Sequence, residues 1–372
     1  MERSRQCSKT VKRRRWGGLR QQWKLLGLFQ IDEQHEFYRL TCMMKEGLAT
    51  AIQHTSDHVP TAELSDEDFR SEVTHIHKDF TMVTFASPVF ASLRGSLGIT
   101  EQEYQQTLCS EHCYLQFISN SKSRLCFHIY RNDKRLFLKT QNKREIQFLL
   151  SNLKIYLEHL KKYPHSLLVK FLGKKFFIVM QSVFYPDDRI NSRYDIKGCE
   201  VSRWTDPAPE GSHIIVVLKD INFEGQFITL EQQRSWLLRQ VEIDTQFLRR
   251  LNVLDYSLLL ANQPLHQDER YQGHSFASVI MRTKRSVDAD DLLEYQAQNR
   301  RLLSNLKNPL HVIDGPEQRY FIGIIDIFTV YGFRKRLEHL WKRLRHPGKS
   351  CSTVSPNMYC VRLQQWVQDH TN

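Results

Sequence analysis

The spacing of apolar residues predicts alternating strands and helices in the first half of the chain. Apolar and polar side chains alternate over residues 125–129, as in a half-buried strand, and a second predicted strand carries Leu136 and Leu138 and leads to Lys139. A helical period follows over residues 149–160, and two further strands are predicted at residues 167–172 and 175–181. The pattern therefore predicts a sheet with one helix inserted between its strands.

Other parts of the chain add further elements. Helical periods predict helices at residues 41–53 and 89–97. In the second half, an apolar run predicts a buried strand at residues 213–218, and a helix is predicted to begin at Thr229. A last apolar strand at residues 320–325 leads to an aspartate.

A polar stretch without periodicity separates this last strand from the elements before it. Residues 264–319 carry one predicted helix, near residues 290–306, and otherwise no regular pattern. A structureless stretch of this length is uncommon in a compact domain, and we interpret it as an insertion.

The segment after the last strand has a basic amphipathic pattern. Its apolar residues recur with helical period and are Phe333, Leu337, Leu340, Trp341 and Leu344, with arginines and lysines between them. One interpretation is a helix that enters the headgroup zone of an anionic membrane. The other is a core helix with a solvated basic side, and this segment alone does not separate them.

Residues 1–38 form a basic N-terminal tail. Residues 12–15 read Lys-Arg-Arg-Arg, and Trp16, Leu19, Trp23 and Leu26 follow at helical spacing. This pattern is typical of an amphipathic helix on a membrane. A solvated tail or a nuclear import signal accounts for it equally well.

Composition and charge narrow the class of protein. With 372 residues, 41% apolar and 25% charged, the chain is typical of a globular protein. Its apolar runs are too short to cross a bilayer and its N-terminus lacks a secretory pattern, so we expect a cytoplasmic protein. The net charge of +12 predicts attraction to a polyanion. Basic strands with interleaved aromatics are missing, so we expect an anionic membrane surface rather than nucleic acid.

The eight cysteines are scattered and do not suggest a disulfide framework. Cys109, His112 and Cys113 invite a zinc interpretation, but a structural zinc site normally needs four ligands. No second ligand pair lies nearby, and apolar neighbours favour a core role. Zinc is not expected here.

Three charged residues close predicted core elements. Lys139 ends a strand, Asp255 follows the long helix, and Asp326 ends the last strand. Each alone is compatible with an ordinary surface charge. Phosphoryl transfer, however, needs a lysine on the nucleotide phosphates, a carboxylate for the metal and a carboxylate near the attacking hydroxyl. Together the three residues predict a phosphotransfer cleft.

Several long segments resemble the signature segments of the phosphatidylinositol phosphate kinases, in particular their type I branch. These segments are Arg193–Cys199, Leu254–Leu259, Ile322–Ile327, Lys335–His339 and Ser355–Tyr359. The resemblance runs from about residue 40 to the C-terminus. It implies an α+β fold of the two-lobed protein-kinase-like type, with antiparallel sheets and helices. The domain is expected at residues 39–372, with an N-lobe over 39–182 and a C-lobe over 183–372.

The resemblance also implies roles for individual residues. Lys139 and Lys197 match ATP-binding lysines, Asp255 the catalytic aspartate, and Asp326 the Mg²⁺ ligand, so ATP and Mg²⁺ are the expected cofactors. The segment that selects the lipid is matched by Lys335, Arg336 and Glu338. Glu338 is the type I residue, which implies transfer to the 5-hydroxyl of phosphatidylinositol 4-phosphate. The resemblance also implies a peripheral membrane location. The partners implied are the anionic membrane and, in homo- or heterodimers, type I kinases.

Departures from the family pattern concern the phosphate grip. The turn Lys122–Leu125 has no glycine, although glycine lets backbone amides approach phosphate closely. Cys199 replaces a serine, Ala261–Pro264 replaces a Gly-Ile-His segment, and either Glu145 or Gln147 occupies the position expected to pair with the ATP-binding lysine. We therefore expect weak or absent catalysis and a scaffolding or regulatory role beside active type I kinases. A fully active kinase is the alternative.

Overall fold

The computed structural model describes residues 27–31, 33–35, 37–57, 63–109, 114–118, 128–131, 136–174, 177–185, 187, 189–209, 215–265 and 312–372. Several sequence predictions lie outside these residues. They concern the amphipathic pattern of residues 16–26, His112 and Cys113 of the zinc interpretation, the turn at residues 122–125, and the helix near residues 290–306.

The helices and strands have the following bounds. The helices are α1 Tyr38–Asp57, α2 Asp66–Arg70, α3 Ser87–Ser96, α4 Glu101–Cys109, α5 Lys143–Ser151, α6 Leu153–Lys162, α7 Arg234–Arg250, α8 Phe333–Arg345 and α9 Pro356–Asp369. The strands are β1 Gly27–Ile31, β2 Glu72–Ile76, β3 Thr81–Phe85, β4 Tyr114–Ile118, β5 His128–Arg131, β6 Leu136–Thr140, β7 Phe171–Lys174, β8 Phe177–Gln181, β9 Ser192–Ile196, β10 Leu218–Lys219, β11 Ser257–Pro264, β12 Val312–Asp314 and β13 Gln318–Ile325.

Within the described residues, the first sheet has six antiparallel strands in the order β1-β4-β5-β6-β8-β7. Apolar residues of α1 and α4, among them Leu48 and Leu108, pack against Leu138 and Val179 of this sheet. Residues 27–31, which the sequence analysis assigned to the tail, form β1 and pair with β4. The sheet therefore extends into the segment predicted to lie outside the domain.

The second sheet has five strands among the described residues, in the order β10-β9-β11-β13-β12. Strands β9 and β10 are parallel and the other pairs are antiparallel. Apolar residues of α7 and α9, such as Leu248 and Leu363, join the core behind this sheet. The two sheets with their helices form the α+β architecture that the sequence predicts.

Several predicted elements differ from the observed ones. The strand predicted at residues 167–172 begins only at Phe171, where β7 starts. The single helix predicted at residues 149–160 is two helices, because α5 ends at Ser151 and α6 begins at Leu153. Residues 215–217 are not a strand, since only Leu218 and Lys219 find partners on β9. The helix predicted from Thr229 begins as a single 3₁₀ turn at residues 231–233 before α7.

Several strands were not predicted, among them β1, β4, β9 and β11. Strands β2 and β3 form a separate hairpin in which only His75, Met82 and Thr84 are buried, and because two of these three are polar the apolar alternation is weak. Strand β12 pairs with β13, although residues 312–314 fall within the predicted insertion. The insertion predicted at residues 264–319 therefore ends before Val312, the first residue of β12.

The buried carboxylate of Asp244 joins α6 and α7 to the segment that precedes β7. The side chain of Asp244 on α7 is fully buried. It accepts hydrogen bonds from Ser166 Oγ (2.8 Å), the Leu167 amide (2.8 Å) and Gln240 Nε2 (3.1 Å), and it lies 2.7 Å from His159 Nε2 on α6. Because every neighbour is buried, this carboxylate satisfies groups that water cannot reach.

Replacing Asp244 with alanine is expected to lower the free energy of unfolding by about 3 kcal/mol, because buried donors lose their acceptor. Urea denaturation of the two proteins measures the difference. Asp369→Ala is the control, since that exposed carboxylate accepts only an exposed amide from Gln365 among the described contacts. A loss below about 1 kcal/mol at Asp244 would contradict the assigned role.

Candidate active site

The ATP-binding lysine and the metal-binding aspartate predicted from the sequence lie in direct contact. Lys139 is on β6 of the first sheet and is buried, and Asp326 directly follows β13 of the second sheet. The Lys139 ammonium forms an ion pair with Asp326 Oδ1. This contact joins residues 187 positions apart and brings the two sheets together, and we refer to the region around it as the cleft.

The topology of the second sheet explains why Lys197 and Asp255 lie at the same edge as Asp326. Strand β9 ends at Ile196 and β13 ends at Ile325, while β11 begins at Ser257 and runs antiparallel to both. The ends of β9 and β13 and the start of β11 therefore lie at one edge of the sheet. Lys197, Asp255 and Asp326 occupy this edge because each lies one or two residues beyond a strand.

Asp255 lies between two ammonium groups. Lys197 Nζ donates to Asp255 Oδ1 over 2.9 Å and also to the Asp255 carbonyl oxygen. Lys335 Nζ lies 3.2 Å from Asp255 Oδ2. Burial alone would raise the pKa of Asp255, but the charges of Lys197 and Lys335 hold this pKa well below its ordinary value. Asp255 is therefore an ionised carboxylate that can accept a hydrogen bond from a substrate hydroxyl.

Lys197 is held charged by the same cluster. Burial disfavours its ammonium form, but the carboxylates of Asp255, Asp195 and Asp326 raise its pKa above the ordinary lysine value. A largely buried ammonium whose charged form is favoured is suited to neutralise phosphate oxygens.

Two of these aspartates have left-handed backbone conformations. Asp255 has φ of 62° and Asp326 has φ of 61°, and only four other non-glycine residues of the described part have positive φ. Such conformations cost energy for most side chains and collect at functional sites. The backbone thus marks these two carboxylates independently of their charge.

The sequence left open whether Glu145 or Gln147 pairs with Lys139. The Glu145 carboxylate accepts the Asn142 amide over 3.1 Å, in a capping box at the start of α5. Gln147 is exposed. Lys139 is in contact with the carboxylate of Asp326, whereas Glu145 caps its own helix.

Helix α8 follows the cleft and leaves its apolar face uncovered. Its five large apolar residues are each between 50% and 75% exposed, and no residue of the helix is buried. The interpretation of α8 as a core helix is therefore wrong. None of the described helices is both long and apolar enough to cross a bilayer.

The polar side of α8 reaches the cleft through the ion pair of Lys335 with Asp255, and further pairs lie within the helix. Glu338 lies 3.0 Å from Lys335 Nζ and 2.7 Å from Lys342 Nζ. Arg336 lies over the ring of Tyr331, with its guanidinium carbon 5.4 Å from the ring centroid. Of the residues predicted to select the lipid, Lys335 contacts Asp255, and Glu338 fixes the position of Lys335.

The donor set fits ATP and Mg²⁺. The described residues contain no cluster of three or more histidine, cysteine or carboxylate side chains suited to a dedicated metal cage. Magnesium in phosphotransferases instead uses one or two carboxylates together with phosphate oxygens and water. Asp326 is at hand for such a role, and Lys139 and Lys197 supply cations for the phosphates.

Comparisons with known proteins identify the family of this chain. Residues 108–370 match the family described as Phosphatidylinositol-4-phosphate 5-Kinase. The chain is 56% identical to human phosphatidylinositol 4-phosphate 5-kinase-like protein 1 and 49% identical to the mouse protein of that name; each match covers 95% of this chain and 91% of the relative. It is 28% identical to phosphatidylinositol 4-phosphate 5-kinase 3 of Arabidopsis thaliana, over 81% of this chain and 46% of that protein. These matches confirm the predicted kinase-like fold class, and the chain belongs to the phosphatidylinositol 4-phosphate 5-kinase family.

Proposed function

We propose that this protein works at anionic membrane surfaces as a type I-like phosphatidylinositol 4-phosphate 5-kinase. Its own conversion of phosphatidylinositol 4-phosphate to phosphatidylinositol 4,5-bisphosphate is weak, and it positions or regulates active type I kinases. The observation that carries this proposal is α8, a basic helix with an exposed apolar face that begins seven residues after Asp326.

The membrane part follows from the physics of this helix. Exposing a row of phenylalanine, leucine and tryptophan side chains to water is unfavourable. Burying the same side chains at a lipid interface removes this free-energy cost. The arginines and lysines between them attract anionic headgroups. A protein that phosphorylates a lipid headgroup needs such a surface beside its phosphate cleft.

The chemical part assigns one task to each charge. Asp255 accepts the hydrogen bond of the inositol hydroxyl and orients it. Lys139 and Lys197 hold the phosphates of ATP, and Asp326 binds Mg²⁺, which neutralises the charge of the transferring group. Lys335 and Arg336 bind the phosphate of the lipid headgroup, and Glu338 fixes the position of Lys335.

Three features support weak intrinsic turnover. The turn at residues 122–125 lacks the glycine that brings backbone amides close to phosphate. Cys199 places a buried thiol where the family has a serine hydroxyl, and thiols are poorer hydrogen-bond donors. Glu145 is engaged in the cap of α5 rather than with Lys139. Phosphoryl transfer depends on positioning, so each loss lowers the rate.

A fully active kinase is the second candidate. It is favoured by one observation, namely that Lys139, Lys197, Asp255 and Asp326 all lie in one cleft with their charges paired. A protein that only binds membranes has no use for this arrangement.

ATP binding provides the first test. Millimolar ATP with Mg²⁺ is expected to raise the melting temperature by about 3–6 °C, because a ligand that binds only the folded state stabilises it. Lys139→Met should lose this shift, and Lys154→Met, an exposed lysine paired with Asp66, should keep it. No shift in the unaltered protein would eliminate the kinase chemistry and leave only the membrane role.

The regulatory part needs a separate experiment. The protein is mixed with an active type I kinase on vesicles that contain phosphatidylinositol 4-phosphate, and the initial rate of lipid phosphorylation is compared with that of the active kinase alone. A complex in analytical ultracentrifugation and a changed rate are expected. Independent sedimentation with an unchanged rate would refute the regulatory role.

A further inference from the structure

A buried carboxylate organises the turn that carries Lys197. Asp220 Oδ1 accepts hydrogen bonds from three successive backbone amides, those of Lys197 (2.9 Å), Gly198 (2.6 Å) and Cys199 (3.3 Å). Consecutive amides that converge on one point form a natural anion site. Here the anion is a side chain of the protein itself, at the start of a 3₁₀ turn 22 residues further along the chain.

A buried arginine holds this carboxylate in place. Arg203 Nε donates to Asp220 Oδ2 over 2.5 Å, and Arg203 Nη2 donates to Asp195 Oδ1 over 2.8 Å. Arg203 and Asp220 are both less than a tenth exposed. The guanidinium fork therefore fixes the orientation of Asp220 relative to the end of β9, where Asp195 lies.

The other side of the turn is closed by α9. Gly198 has φ of 64°, and a Cβ atom there would lie 3.4 Å from the carbonyl oxygen of Arg362 and 3.5 Å from the Cα of Leu363. The turn is thus confined between Asp220 and the backbone of α9. Both sides of the turn are therefore covered by protein, and the side chain of Lys197 extends from it to Asp255.

We propose that Asp220 is a positioning residue for phosphoryl transfer, which acts through the turn at residues 197–199 and with Arg203 as its counter-ion to hold the Lys197 ammonium between Asp255 and the phosphate site. The proposal rests on the proposed function only where it assigns Lys197 to phosphates. The contact of Lys197 with Asp255 is a separate geometric fact that can be measured without turnover.

The first experiment observes Lys197 directly. In protein with ¹⁵N-labelled lysine, the Nζ resonance of Lys197 is assigned with Lys197→Arg and titrated with pH. In Asp220→Asn, the amide nitrogen faces Arg203 Nε as a second donor, so the turn should loosen and Lys197 should leave Asp255. Its pKa is then expected to fall toward the ordinary lysine value, and the amides of residues 197–199 should exchange at least tenfold faster than in the unaltered protein.

The matched control is Asp206→Asn. Asp206 is an exposed aspartate that accepts the indole N–H of Trp204 over 3.1 Å, a few residues after the same turn. It should leave the Lys197 titration unchanged. Arg203→Lys is the second test variant, because it keeps the charge but loses the fork; it decides the matter if Asp220→Asn does not fold, and it should shift Lys197 in the same direction.

Turnover separates this inference from the proposed function. If the unaltered protein phosphorylates phosphatidylinositol 4-phosphate, Asp220→Asn should lower kcat about 100-fold and change the KM for ATP less than threefold, since a positioning role acts on the transition state. If the unaltered protein shows no turnover, the enzymatic part of the proposed function fails and the Lys197 titration alone decides. An unchanged Lys197 titration in both test variants overturns the proposal.

Discussion

Charge reversal on α8 is expected to reduce binding to anionic vesicles by a factor of about 10³. The change is Arg334→Glu with Arg343→Glu and Arg345→Glu, three exposed residues of the helix. Each basic residue near an anionic membrane contributes about 1 kcal/mol, and reversal adds repulsion to the lost attraction. Sedimentation with vesicles that contain phosphatidylserine and phosphatidylinositol 4-phosphate measures the change. Lys335 and Arg336 are left intact so that the cleft is not altered.

The control places the same three charge changes on α6. Lys154, Lys161 and Lys162 are exposed there, and their reversal gives the same net charge. Binding that falls equally in both variants would show a non-specific effect of net charge and would contradict a docking face on α8. Raising the salt concentration should weaken binding of the unaltered protein, because exposed charges are screened.

The apolar side chains of α8 make a separate contribution. Trp341→Ser with Leu344→Ser removes two exposed side chains without changing charge. Each buried side chain of this size contributes about 2 kcal/mol at a lipid interface, so binding should fall at least tenfold even at low salt. If binding were purely electrostatic, the unaltered protein and this variant would bind the vesicles equally. The two variants together separate attraction from insertion.

The charged residues of the cleft were predictable because they end apolar patterns. Residues 136–138 and 320–325 are apolar runs that stop at Lys139 and at Asp326, and a charge at the end of a buried strand lies at the edge of a sheet. Asp255 follows a helix with a clear apolar period. The resemblance to a lipid kinase family then assigned roles that periodicity alone does not provide.

Asp220 and Arg203 were not predictable in the same way. Both belong to segments without periodicity, and Asp220 follows an apolar run that the sequence analysis took for a full strand. Their importance comes from contacts with backbone amides 21–23 residues away, which leave no local pattern. An aspartate two residues after an apolar run, with an arginine upstream, was the available signal.

The exposure of the apolar face of α8 could not be predicted from the sequence either. A basic amphipathic helix has the same sequence pattern whether its apolar face packs on a core or remains open. The decisive information is tertiary, because α8 stands on the cleft through Lys335 and Tyr331 while its apolar residues find no cover among the described residues. Similarly, Glu145 and Gln147 were ambiguous until the capping box of α5 showed that Glu145 bonds to its own helix.

Replacing Asp326 with asparagine is expected to lower the rate of lipid phosphorylation by a factor of about 10³, because the metal loses an anionic ligand and Lys139 loses its partner carboxylate. Asparagine is chosen over alanine because it tolerates the left-handed backbone at this position, where φ is 61°. Folding is thereby preserved, and a lost rate reports on chemistry. Labelled ATP and vesicles with phosphatidylinositol 4-phosphate provide the assay, and Asp314→Asn, whose carboxylate pairs with Arg319 outside the cleft, is the control.

The pH dependence of this rate provides a further check on Asp255. Lys197 and Lys335 depress the pKa of Asp255, so its carboxylate stays ionised as the pH falls from 8 to 5. The rate should therefore show no acid limb from this group, whereas Lys197→Met with Lys335→Met should introduce one, because burial then raises the pKa of Asp255. An acid limb near pH 6 in the unaltered protein would contradict the paired carboxylate.

Equal background rates in the unaltered protein and in Asp326→Asn, with vesicle binding intact, would instead show that the cleft is retained for binding alone.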